Sequence, residues 1–487
     1  MATSPYAVHE HHEFLAASRE ALNSPNLQTA LNRLGETLAA GNRTAFEKLP
    51  GSSLLRDKAR AIKDHTLAHL DQYIEELERA VIARGGHVHF AVDAADAQQI
   101  VASIARQYGV KRIVKSKSMV TEEIHLNHHL EQQGFEVTET DFGEYIIQLA
   151  GERPSHLVAP VVHKTVEEVA EVMNRRLDSN TPADAKALAG LAREKLRAKF
   201  AESEMGITGG NFLIAETGTV VMITNEGNGR LTTAVPPIHV ALVGIEKLIP
   251  KLSDLPIFLK VLARAATGQK LSIYTSIMTG PRLPGEADGP EQFHLVLLDN
   301  GRTKILGSPM RESLFCIRCG ACLNACPVYR KIGGHAYGGI YSGPIGAVLT
   351  PLFDGLKENY HQPHASSLCG ACQAACPVKI QIPELLVRNR AAMHDNHHVH
   401  WAEESIYKLW SAWMRSSFWY GWLTWSASRV LSRMARSGWM KRLPGPLAGW
   451  TASRDFPTPA AKRFRDLWHE GLADEPTVPV GVNEECP

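Results

Sequence analysis

Seven of the eight cysteines lie between Cys316 and Cys376, and the eighth, Cys486, is the penultimate residue. Thiolates are soft ligands, and four of these stand in a single short run, Cys316-Ile-Arg-Cys319-Gly-Ala-Cys322-Leu-Asn-Ala-Cys326-Pro. This is the C-x2-C-x2-C-x3-C-P spacing that holds 4Fe-4S clusters: tight turns bring the first three thiolates to one cluster, and the fourth, before proline, points to another. A structural zinc site is the competing chemistry, but four closely spaced cysteines ending in Cys-Pro fit it poorly. A disulfide framework would staple loops throughout a small secreted chain instead of gathering in the last third of a long one.

The segment Ser366-Ser-Leu-Cys369-Gly-Ala-Cys372-Gln-Ala-Ala-Cys376-Pro repeats the run with serine at its first position. By the cross-over rule of two-cluster ferredoxins, Cys316, Cys319, Cys322 and Cys376 hold cluster one, and Cys326, Cys369 and Cys372 hold cluster two. Two iron-sulfur clusters are expected, one 4Fe-4S and one either 4Fe-4S or 3Fe-4S. The odd iron of a four-iron second cluster takes Ser366, water, a partner's ligand or a substrate. Cys486 is a further candidate, but a lone cysteine at a chain end is more often a bystander, and it is left out of the site. Two adjacent clusters, with no G-x-G-x-x-G or Walker A loop anywhere, describe an electron relay.

The elements that position this centre follow from the patterning. A chain of 487 residues allows about three domains. Residues 1–65 read as a helical, polar lead-in. Between 66 and 305, β-rich runs at His87–Ala91, Arg112–Val114, Phe135–Thr138 and His156–Val162 alternate with helical stretches at Asp96–Arg106, Thr121–Gln132 and Thr165–Arg176. That alternation implies a mainly parallel α/β sheet. Phe212–Thr224 reads as a hairpin turning at Thr217-Gly218-Thr219, and further strands are expected at Ile238–Ile245, Leu271–Met278 and Phe293–Leu298. Lys115-Ser-Lys117-Ser-Met119 follows a strand and opens a helix, where open α/β sheets bind ligands. Lys115, Lys117 and Arg230 are therefore candidates for holding a carboxylate, with a plain turn capped by Ser118 as the alternative. Three Gly-rich polar segments, 206–211, 216–219 and 225–230, could converge on a pocket or serve as ordinary turns. Glu139, Asp141 and Glu144 read as a salt-bridging or surface cluster.

The ferredoxin-type region spans 306–390, and a Trp-rich, basic segment spans 391–487. All nine tryptophans lie in the latter, and between Lys408 and Arg454 there are eight basic residues and no acidic one. Such a face suits a protein interface or peripheral contact with an anionic membrane, with packing of the tryptophans on the ferredoxin-type region as the plain alternative. Over the whole chain 52 Lys+Arg balance 51 Asp+Glu, which disfavours nucleic acid as a partner. The first thirty residues hold no apolar signal segment, and the Trp-rich run between Arg415 and Arg429 is too short to span a bilayer, so a cytoplasmic location is expected.

The order of Lys115-Ser-Lys-Ser-Met-Val-Thr-Glu-Glu123, Glu139-Thr-Asp-Phe-Gly-Glu-Tyr145, Pro154-Ser-His156, Glu216-Thr-Gly-Thr219, Asn225-Glu-Gly-Asn228, Gly244-Ile-Glu-Lys247, Asp299-Asn-Gly-Arg302 and Cys316-Ile-Arg-Cys-Gly-Ala-Cys322 resembles the lactate-utilisation protein B family over nearly the whole chain. The resemblance implies a LUD α/β domain related to sugar-phosphate isomerase and CoA-transferase folds, then an α-helical ferredoxin-type domain and a helical C-terminal segment. It also implies an electron-transferring role in oxidising L-lactate to pyruvate, beside lactate utilisation proteins A and C. Two alternatives stand beside that role: the α/β domain binds lactate and joins the chemistry, or it is a silent scaffold for the partners. Ser366 departs from the full ferredoxin pattern.

Overall fold

The computed structural model describes residues 11–399, 401–434, 438–443, 445–452, 454–460 and 462–472. Cys486 lies outside them. Ten strands carry the α/β region: β1 (His87–Ala91), β2 (Arg112–Lys115), β3 (Glu136–Glu139), β4 (Met205–Thr208), β5 (Phe212–Ile214), β6 (Thr219–Thr224), β7 (Ile238–Gly244), β8 (Leu248–Ile249), β9 (Tyr274–Met278) and β10 (Gln292–Leu298). Six form one sheet in the order β1-β10-β7-β4-β2-β3, with every pairing parallel. Parallel strands need both faces covered, and β7 is buried at all seven positions. Its residues divide between the faces: Val240 and Leu242 pack with Val101, Ile124 and Leu130, while Ala241 and Val243 pack with Leu77 and Val81.

The expected hairpin is present as β5 and β6, turning at Gly218 in the left-handed region. It belongs to a second, four-stranded sheet in the order β8-β5-β6-β9. Two expectations change. The stretch from Thr121 to Gln132 is two helices, Met119–Glu123 and Leu126–Gln132, broken where His125 takes φ 50°. The stretch from His156 to Val162 is not a strand: His156 Nδ1 accepts the N–H groups of Val158 and Ala159 at 3.0 and 3.1 Å, folding the backbone into turns ahead of Pro160.

The N-terminal helices bury Leu31, Phe46 and Leu67 in the same core that holds β5, β6 and the cysteine region. Arg56 donates to the carbonyls of Ala374 and Cys376 at 2.7 and 2.5 Å, and Arg60 donates to Glu312 at 2.7 Å. Residues up to His398 accordingly form one compact unit, and Val399 onward forms another. In the second unit, helices Trp401–Arg415 and Ser417–Met434 are followed by a two-stranded ribbon pairing Trp439-Met440 with Phe456-Pro457, and by short 3-10 turns. The helical expectation thus holds, with shorter helical pieces at Gly445–Ala452 and Phe464–Leu467 after Met434. Among the described residues no helix is long and apolar enough to cross a membrane.

Candidate metal centre and the cavity beside it

The two cysteine runs fold as copies of one motif. Arg318 and Leu368 take φ 59° and 55°, and Gly320 and Gly370 follow at 75° and 81°. Each copy then enters a five-residue helix, Ala321–Ala325 or Ala371–Ala375, that ends at the cysteine before proline. Left-handed backbone at the third and fifth positions curls the chain so that successive thiols point inward. Backbone N–H groups face the sulfurs: Arg318 N–H to Cys316 Sγ at 3.4 Å, Tyr329 N–H to Cys326 Sγ at 3.5 Å and Ile380 N–H to Cys376 Sγ at 3.4 Å.

The thiols divide into two sets. Cys316, Cys319, Cys322 and Cys376 line one small cavity walled by Leu157, Ile317, Ile345, Val378, Ile380 and Ile382. Burial first, and then the neighbouring sulfurs of the same set, push Cys319 and Cys322 well above the usual thiol range. Cys372 is pushed up to about 12 by burial and next by Cys326, with Cys369 contributing too. Cys369 itself is exposed, and the Ala371 N–H lowers its pKa. Crowded, buried thiols that repel one another as anions suit a polynuclear cation core, and the surrounding N–H groups suit sulfur acceptors.

The α/β side presents charge to this region. Lys115 is fully buried at the end of β2, its Nζ 2.6 Å from Glu139 and 3.1 Å from Glu122, with Thr121 Oγ1 at 2.9 Å. Burial alone would push its amine down, but the two carboxylates hold it above the ordinary lysine value. Lys117 Nζ lies 3.5 Å from Glu144, whose carboxyl is pushed up to about 8 by burial against the pull of Lys117. Glu139 and Glu144 are thus buried beside Lys115 and Lys117 respectively, while Asp141 caps the helix Phe142–Ala150. Ser118 caps Met119–Glu123 as the turn reading expects. Arg230 stands apart, lining a different cavity with Arg84, Tyr274 and Arg282.

Residues missed in the sequence reading join the α/β region to the cysteines. Arg302, fully buried, makes a two-pronged pair with Glu123 (both 2.9 Å) and donates from Nε to Glu246 at 2.5 Å. Tyr341 donates to Glu123 at 2.5 Å. Burial would raise Glu246, but Arg302, Lys247 and Arg318 hold it down at about 2. Gly244 makes room for the pair, since a Cβ there would stand 2.1 Å from Glu246 Oε2 and 2.6 Å from Arg302 Nε. Arg318, inside the first cysteine run, lies over the Tyr341 ring at 4.4 Å and 3.6 Å from Glu246. The signal available for Arg318 was its place between Cys316 and Cys319 of the first run.

A cavity of about 580 Å3 opens between the carboxyl ends of the strands and the first cysteine run. Lys117 and Ser118 after β2, Gly209, Gly210 and Asn211 after β4, and Lys247 after β7 line it, with Arg318 and Cys319 opposite. Asn225 and Asn228 line it as well. The Gly-rich segments 206–211 and 225–230 therefore do converge on a pocket, at the strand ends where open α/β sheets bind ligands.

A LUD α/β domain joined to a dicluster iron-sulfur module is the class of protein that this fold and this centre define. Family models for the LUD domain, the 4Fe-4S dicluster domain and the lactate utilisation protein B C-terminal region match residues 74–298, 312–380 and 388–472. The chain is 45% identical over 466 residues to lactate utilization protein B of Bacillus velezensis, covering 93% of this chain and 95% of that one. It is 43% identical over 473 residues to the Bacillus subtilis protein of that name (94% and 96% covered) and 46% identical over 413 residues to the Geobacillus kaustophilus protein (84% and 87% covered). The chain belongs to the lactate utilization protein B family and is an iron-sulfur protein.

Proposed function

We propose that this chain is the electron-transferring iron-sulfur component of a multi-component system that oxidises L-lactate to pyruvate, working in the cytoplasm beside lactate utilisation proteins A and C. The observation that carries the reading is the division of seven thiols into two interleaved sets, each drawing on both cysteine runs. Cys316, Cys319, Cys322 and Cys376 hold a 4Fe-4S cluster, and Cys326, Cys369 and Cys372 hold a second of the 4Fe-4S or 3Fe-4S type. Bound clusters supply one-electron carriers, and two of them side by side can pass on singly the two electrons that lactate releases.

The protein's own part is to hold and insulate them. Leu157, Ile345 and Ile382 keep water from the first set, and the N–H groups of Arg318 and Ile380 stabilise charge on its sulfurs. The second set reaches the surface at Cys369, where electrons can leave for a partner. The α/β domain over 66–305, the cluster region over 306–390 and the segment over 391–487 are the working divisions of the chain. Anaerobic purification with iron and sulfide analysis, followed by lactate-dependent cluster reduction with and without proteins A and C, tests the reading. About seven to eight irons per chain, reduced only when the partners and lactate are present, is the expected outcome; zinc without acid-labile sulfide overturns it.

A further inference from the structure

The cavity beside the first thiol set holds more positive charge than its lining neutralises. Arg318 is buried, yet neither Nη1 nor Nη2 has a hydrogen-bond partner, and its nearest carboxylate, Glu246, stands 3.6 Å away and is shared with Arg302. Lys117 Nζ is likewise buried without a hydrogen bond, its nearest carboxylate being Glu144 at 3.5 Å. Lys247 is buried on the cavity wall, with no ion pair among the described residues. Two carboxylates, Asp141 and Glu226, share the lining and offset part of this charge, leaving three cations against two anions on the cavity wall. Buried guanidinium and ammonium groups with unmade hydrogen bonds are costly, and an anionic ligand that accepts them would remove that cost.

The rest of the wall is apolar, with Met119, Leu157, Met222 and Leu262 facing the same space. A volume of about 580 Å3 lies within the range of sites for organic ligands and exceeds what a three-carbon acid fills.

We propose that this cavity binds an organic acid, its carboxylate or phosphate held by Lys117, Lys247 and Arg318 and its body lying along Met119, Leu157, Met222 and Leu262, against Cys319. The site deepens the electron-transfer reading, on which it rests only for the adjoining cluster. Two sources share the chemistry: the carboxylate of the 2-hydroxy or 2-oxo acid, or the phosphate of a larger redox-active molecule. Lys115 is a positioning residue, pinned by Glu139 and Glu122 so that the turn carrying Lys117 is fixed.

The test is calorimetric titration of the anaerobic, cluster-loaded full chain with four probes: L-lactate, pyruvate, flavin mononucleotide and inorganic phosphate. Lys117→Gln and Lys247→Gln variants are titrated alongside, with the electron-paramagnetic spectrum of the reduced clusters recorded before and after each addition. Leu262→Trp, which fills the apolar wall away from the charges, guards against a lysine variant that misfolds. Binding of lactate or pyruvate, weakened tenfold or more in these variants and shifting the spectrum, supports the site with the substrate acid as its occupant. The same pattern with flavin mononucleotide supports it with a phosphorylated cofactor. Binding of inorganic phosphate alone, of no probe, or with affinity unchanged in all three variants overturns it. Protein that takes up no iron or acid-labile sulfide on anaerobic reconstitution, yet binds a probe through Lys117 and Lys247, would sink the electron-transfer reading and leave the site standing.

Discussion

Cys316 and Ser366 occupy the same place in the two copies of the cysteine motif, and each accepts the backbone N–H of the residue two further on: Arg318 to Cys316 Sγ at 3.4 Å, Leu368 to Ser366 Oγ at 3.1 Å. The serine keeps the turn that a cysteine would make while offering oxygen in place of sulfur. Ser366→Cys should therefore add a thiolate without refolding the loop. Iron analysis is expected to rise toward eight per chain, with loss of any three-iron signal from the oxidised protein's electron-paramagnetic spectrum. Identical iron content and spectra before and after reconstitution would show that another ligand already completes the second cluster.

Arg302 is the pivot between the α/β sheet and the first cysteine run. It satisfies Glu123 and Glu246 at once and also donates to the Asp299 carbonyl at 3.0 Å. Arg302→Met removes the cation and leaves two buried carboxylates facing each other, a defect that costs about 3–5 kcal/mol. A lowered urea midpoint by circular dichroism checks this. The triple change Arg302→Met, Glu123→Gln, Glu246→Gln should recover part of the loss, because the uncompensated charges are gone.

Glu144 supplies a pH dependence with a definite sign. Burial lifts its carboxyl to about 8 in the folded chain, against about 4.3 when unfolded. Between those values the folded state holds a proton that the unfolded state has released, so this group's contribution falls as pH rises and is fully lost above about 8. Measured from pH 6 to 8.5, the unfolding midpoint of the parent chain should decline relative to that of Glu144→Gln, whose side chain cannot ionise. Parallel curves would show that Glu144 is already ionised at pH 6.

Much of the centre was legible because its chemistry is local in sequence. Four cysteines within one run carry their own spacing rule, and β7 and β10 announce themselves as apolar runs between turns. The charged network was not legible because it is assembled from distant strand ends: Glu123, Glu246 and Arg302 meet only once β7 and β10 lie side by side. The loop from His156 looked like a strand because its residues are apolar and β-branched, yet tertiary hydrogen bonding decides otherwise: His156 Nε2 pairs with Asn324 Oδ1 of the cysteine helix at 3.1 Å. Lys115 and Lys117 looked equivalent, but β2 ends at Lys115, whose side chain enters a carboxylate cage, and the turn that follows carries Lys117 to the cavity.

The C-terminal unit carries the last prediction. Trp410 and Trp422 are 55% and 52% exposed, and Trp401, Trp413, Trp419 and Trp425 of the same two helices are exposed too, a concentration of apolar surface that marks an interaction site. Helix Trp401–Arg415 has no buried residue at all. Arg429 lies over the Trp425 ring at 4.1 Å and Arg454 over Trp450 at 5.7 Å, so cations and indoles share one surface. Tryptophan and arginine together are the commonest anchors of protein interfaces, and an electron relay needs its donor and acceptor held close. The expected occupant is the A or C protein. In the full chain, Trp410→Ser with Trp422→Ser should leave iron content and the unfolding midpoint unchanged while weakening co-purification with A and C. The affinity loss should be tenfold or more, since a central tryptophan contributes about 2 kcal/mol or more at such surfaces. Weakened binding to anionic vesicles with intact partner binding would assign the face to a membrane instead. Loss of iron or of solubility in the double variant would mean that these rings pack within the protein itself, and the docking reading would fall.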